Sequence, residues 1–173
     1  MVKHSFIQLP APAPRGSALA LATFFFLGHL LGLLTAGSAG DFFRSAMRTV
    51  VSGRVSIIGL LSSAVLPFLF SAFAAYLGRP FLLFPTAFWK AFLFSYMGSG
   101  LFAAWGSAGW LITLLVMFGS LCSMPVLYWY WLRCLSGRRF DVAVFCLLLG
   151  ILVAVSLVHY YLMVPFLARI ITF

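Results

Sequence analysis

The sequence contains no glutamate and two aspartates, Asp41 and Asp141, against two lysines and nine arginines. Only 8% of its residues are charged, where a soluble globular domain carries about 25%. So few charges cannot cover a water-facing surface. The shortage of acids also excludes most general acid–base chemistry, carboxylate metal sites and ion coupling through intramembrane carboxylates. Cysteine is scarce as well: Cys122, Cys134 and Cys146 stand twelve residues apart. No pair has the close spacing of a zinc site, and an odd number argues against a disulfide framework. They read as free thiols used as small apolar side chains, with no metal. A phosphate-cradling glycine loop is missing, and no cofactor is expected. The basic residues are scattered between apolar stretches, as membrane-edge anchors and topology signals are. No nucleic-acid partner is expected from them.

What the chain has in quantity is apolar surface, at 64% hydrophobic residues. Its solvent is lipid, and the expected fold is an all-α integral membrane protein. Residues 1–16 form a polar, proline-rich arm, and 17–173 a single transmembrane helical domain. Apolar runs long enough to span fall at about 17–36, 55–77, 81–106, 110–132 and 142–167, which gives about five helices. The first run exceeds the roughly 7–15-residue core of a signal peptide and is expected to stay as a helix. In the third, Pro85 and Lys90 leave two readings open. Either the whole run spans, or 81–89 is re-entrant and the span begins near Trp89.

The segment 41–54 is too short and too basic to span. Phe42, Phe43 and Met47 fall on one helical side, with Arg44 and Arg48 on the other. That pattern predicts an amphipathic helix lying in the membrane interface. Asp41 and Arg44, three residues apart, are placed to pair across its first turn. Tyr128-Trp129-Tyr130-Trp131 reads as an aromatic belt at a membrane boundary. The uncharged turn at 106–109 against the basic loop at 133–139 puts the N-terminus in the cytoplasm and the C-terminus outside.

Lys90 is the most informative candidate, because an ammonium within a span costs a few kcal/mol and by default marks a site. It has three prospective partners: a lipid phosphate, a partner's carboxylate, or Asp141. Against these stands simple snorkelling to the interface. Gly98-Ser99-Gly100, with His159 two helices later, invites comparison with an intramembrane serine protease. The glycine such a site wants is Met97 here, and no catalytic residue is assigned. His29 and His159 lack a third ligand for a metal. Small residues at Gly28 and Gly32, at Gly98 and Gly100, and at Cys146, Gly150 and Ala154 are candidate faces for helix packing or partner contact.

The stretch Leu66–Gly78 ends in a Gly-Arg-Pro turn. It is followed by Pro80–Pro85, by Lys90, and by the glycines at 98 and 100. The last span carries Ser156, Tyr160-Tyr161 and Pro165. In this order residues 55–173 resemble the stage II sporulation protein M family. The resemblance implies about five spans and a non-enzymatic scaffold in a bacterial membrane that organises peptidoglycan-remodelling partners. The expected partners are then the lipid bilayer and other membrane or envelope proteins, with self-association left open. The other reading is a transporter or permease subunit energised by a partner protein. An intramembrane enzyme comes third.

Overall fold

A computed structural model describes residues 15–52, 56–136 and 140–170. Seven α-helices account for most of them: α1 (Arg15–Thr35), α2 (Gly40–Val51), α3 (Ile57–Tyr76), α4 (Leu83–Trp105), α5 (Gly109–Leu135), α6 (Val142–Val158) and α7 (Val164–Ile170). Among the described residues there is no strand. Of the proline-rich arm, only Arg15 and Gly16 lie within the described residues, and both already belong to α1.

Local chemistry sets the ends of the helices. Gly78 adopts φ +65°, and the Arg79 amide donates to the Ala74 carbonyl at 3.0 Å, so α3 closes in a left-handed glycine cap. Gly106, at φ +59° and ψ −138°, stops α4 in an extended positive-φ conformation that glycine alone adopts readily. Pro85 falls in the first turn of α4, where its missing amide has no intrahelical partner to lose. The helix therefore runs unbroken through Trp89, and 81–89 is not a separate re-entrant piece. Asp141 opens α6, its carboxylate accepting from the amides of Ala143 at 3.0 Å and Val144 at 3.3 Å.

Close contacts fix the topology. Gly28 and Gly32 of α1 lie against the backbone at Phe88 and Phe92 of α4, so these two helices run parallel. Gly98 of α4 faces Met117 of α5, and Gly109 lies against Leu101, so α5 returns antiparallel. Phe68 stacks on Phe145 at 5.3 Å, and Tyr76 meets Phe140 at 6.1 Å, which sets α6 antiparallel to α3. Arg15, Arg79 and Arg133 thus share one end of the bundle, while Arg44, Arg48 and Arg169 share the other.

Among the described residues four helical stretches, not five, are long and apolar enough to cross a membrane: Arg15–Thr35, Ile57–Tyr76, Leu111–Leu135 and Val142–Arg169. The expected third span is the exception, and its position in the bundle explains why. α4 is the central helix, packed along α1 and against α2, α3 and α5. It buries Thr86, Ala87, Lys90, Ala91, Ser95 and Gly100. A helix that meets other helices needs small residues and tolerates polar ones, whereas a helix that meets lipid must be apolar. The outer faces follow the second rule, with Phe26, Leu34, Ile58, Leu66, Leu147 and Leu162 all exposed.

Two further expectations are corrected. Trp131 is fully buried and Tyr130 nearly so, both in the core with Phe68, Leu127 and Leu148. The aromatic run is therefore core on one side, with Tyr128 alone fully outward. And α2 does not keep its apolar side for lipid. Phe43 and Met47 are buried against Leu101, Ala104, Leu115 and Leu167. The expected fifth span holds as one helical stretch, Val142–Arg169, and contains a π turn at His159–Met163, just before Pro165, whose missing amide leaves the Tyr161 carbonyl without its usual α-helical donor.

Candidate functional site

Among the described residues the bundle buries one Lys, Arg, Asp or Glu side chain, Lys90, which is 7% exposed. Its Nζ donates to the carbonyl oxygen of Ser63 on α3 at 2.8 Å. The identity of that carbonyl matters. In an α-helix the carbonyl of residue 63 accepts from the amide of residue 67, and here residue 67 is proline, with no amide hydrogen. Pro67 frees an acceptor and Lys90 occupies it. One turn on, the Ser71 hydroxyl donates to the Pro67 carbonyl at 2.7 Å and accepts from the Trp131 indole at 2.8 Å. The proline-altered stretch of α3 is thereby tied to both α4 and α5.

Lys90 and Ser63 border a cavity of about 380 Å³ between α3, α4, α5 and the π turn. Ser62, Ser123, Ser156 and His159 also line it. The hydroxyls of Ser62, Ser63, Ser123 and Ser156 donate back to carbonyls of their own helices, at 2.9, 2.8, 3.1 and 2.8 Å. The ammonium is then the strongest donor in the space. Both carboxylates of the chain lie elsewhere. Asp141 pairs with Arg133 at 3.2 Å, and Asp41 with Arg44 at 3.5 Å, at opposite ends of the bundle. Lys90 and Asp141 are not brought together, and neither does Lys90 snorkel to an end.

Ser99 and His159 line different cavities. Ser99 borders an apolar space of about 480 Å³ with Leu33, Phe94 and Met117, whereas His159 borders the Lys90 cavity. His159 sits on the π turn with its ring against Gly119. His29 hydrogen-bonds the Ser95 hydroxyl and meets Phe25 edge-on at 4.7 Å. Among the described residues no group of three or more His, Cys, Asp or Glu is placed to hold a metal ion.

The small-residue faces have separate fates. Gly28 and Gly32 are occupied by α4 of the same chain, so they serve helix packing and present nothing to a partner. Gly98 packs on α5, and Gly100 receives the Phe43 ring of α2. Cys146, Gly150 and Ala154 face outward instead, with nothing within 4 Å of where a Gly150 side chain would begin. On α2, Arg44 reaches back to the end of α4. Its Nε and Nη2 donate to the Ala104 carbonyl at 3.1 and 3.0 Å, satisfying an acceptor in the last turn. Phe42 stays exposed, and Arg48 lies on the outward side.

Sequence reasoning singled out Lys90 but missed its acceptor. The signal was present as a rule: a proline inside a helix exposes the carbonyl four residues earlier. The Ser71–Trp131 and His29–Ser95 contacts carried no such signal, because each joins residues more than fifty positions apart.

The fold class defined by these features is an all-helical multi-pass membrane protein with four helices apolar enough to cross. No protein-family model, no curated protein and no solved structure matches the chain.

Proposed function

We propose that this protein is a non-enzymatic scaffold or anchor of a bacterial cytoplasmic membrane, with its N-terminus in the cytoplasm. Its four apolar helices face lipid, and three of them, α1, α3 and α5, pack around α4. The observation that carries this reading is the outward stripe of Cys146, Gly150 and Ala154 on α6, which is left open while the other small-residue faces are filled within the chain. Small residues on a membrane helix let a second helix approach closely. The resemblance of 55–173 to the stage II sporulation protein M family supports peptidoglycan-remodelling proteins as the partners. The basic loop at 133–139, opposite the uncharged turn at 106–109, supports the orientation.

The test compares variants for function in the cell. A bulky Gly150→Trp is expected to abolish function without loss of folded protein. Ser99→Ala and His159→Ala are expected to preserve it. Loss in both alanine variants at normal expression would instead indicate an enzyme.

A second reading, a transporter subunit energised by a partner protein, is favoured by the Lys90 cavity. It predicts that Lys90→Ala abolishes uptake of a solute while complex assembly survives.

A further inference from the structure

Among the described residues a buried cation stands without a counterion. Lys90 has three N–H donors, and the acceptor the structure gives it is the neutral Ser63 carbonyl. A buried charge is normally paired. The two aspartates are engaged with arginines at the two ends of the bundle. The space beside the ammonium, about 380 Å³, is within the range of small-ligand sites, and the hydroxyls of Ser62, Ser63, Ser123 and Ser156 are committed to their own helices. One ammonium matches one anionic oxygen group. The mouth of the cavity adds the second part of the argument. Leu66 of α3 and Trp89 of α4 line it and are themselves exposed, on the side where the bundle meets lipid. An apolar, lateral opening admits a ligand whose body stays among acyl chains while its head turns inward.

We propose that this cavity binds one anionic amphiphile from the membrane, with Lys90 facing its phosphodiester or carboxylate head. Pro67 contributes by freeing the Ser63 carbonyl that holds the ammonium at the cavity wall. The stripe on α6 does not line this space, so the scaffold reading stands or falls separately.

The test is native mass spectrometry of the full chain released from detergent micelles. Phosphatidylglycerol, phosphatidylcholine and oleate are offered in parallel at equal concentration. Wild type is expected to retain one phosphatidylglycerol or one oleate per chain in preference to phosphatidylcholine by roughly tenfold, equivalent to about 1.4 kcal/mol. Which of the two anions is retained separates a phosphodiester ligand from a carboxylate. Lys90→Met is expected to remove the preference, and Lys90→Arg to keep it. Ser62→Trp fills the space with Lys90 in place and is expected to remove retention as well, which covers the case in which Lys90→Met does not fold. Equal retention of the zwitterionic and anionic lipids by wild type would overturn the proposal. So would anionic retention unchanged in a folded Lys90→Met protein or, failing that, in Ser62→Trp.

Discussion

The Nζ of Lys90 lies 2.8 Å from the carbonyl oxygen of Ser63, the acceptor that Pro67 removes from the hydrogen-bond ladder of α3. Two residues that each look unfavourable inside an apolar bundle, a proline in a helix and a lysine in its interior, thus resolve one another. An unsatisfied buried carbonyl costs about 1–3 kcal/mol, and so does an unpaired donor.

The coupling is measurable as a double-mutant cycle on thermal unfolding in detergent. Lys90→Met is expected to destabilise by about 1–3 kcal/mol in the wild-type background. In a Pro67→Ala background, where an amide is restored to the Ser63 carbonyl, the same change is expected to cost less. Equal costs in the two backgrounds would show that the proline and the lysine act independently.

The α1–α4 contact and the α6 face give opposite expectations for the same substitution. At Gly28 a leucine meets the Phe88 carbonyl, and at Gly32 the Phe92 carbonyl and the Ser95 side chain. Either change is expected to cost about 1–3 kcal/mol or more and to reduce the folded yield. At Gly150 a Cβ would meet nothing within 4 Å, and Gly150→Leu is expected to leave the unfolding midpoint unchanged. Size-exclusion profiles and melting curves of the three variants, run side by side, check this.

Gly100 and Phe43 form a matched pair, the ring of α2 lying over the glycine of α4. Gly100→Ala is expected to push α2 off the bundle and break the Arg44 bonds to Ala104. Combining it with Phe43→Leu, which returns volume, is expected to recover part of the loss. Protection of α2 amides from hydrogen exchange reports both effects.

Asp141 has two roles of unequal weight. It caps α6 through two amides, and it pairs with Arg133, whose partner carboxylate is 43% exposed. Capping contributes about 0.5–2 kcal/mol, and a solvent-exposed pair about 0–1 kcal/mol. Asp141→Ala is therefore expected to lower the melting temperature more than Arg133→Gln.

The composition alone made a lipid-embedded helical bundle legible, because hydropathy reports what faces the solvent. Four of the five expected spans follow from it with ends shifted by a few residues. The same signal misjudged α4, since a helix enclosed by others can hold Thr86, Lys90 and Ser95 and so falls below the apolarity of a lipid-facing one. It misjudged α2 for the converse reason. An amphipathic pattern states that one side is buried, and not whether lipid or protein buries it. Here Leu101, Leu115 and Leu167 cover Phe43 and Met47. Of the candidate site, Lys90 was legible as a charge out of place, and its pairing was not, because sequence spacing carries no information on which helices become neighbours.

The central claim is that this bundle holds envelope partners through the open face of α6. The direct measurement is crosslinking from native membranes through the exposed thiol of Cys146, followed by mass spectrometry. Capture of peptidoglycan-remodelling or other envelope proteins by wild type, and its loss in a folded Gly150→Trp variant, is the predicted result. Recovery of no wall hydrolase and no other envelope protein would contradict it.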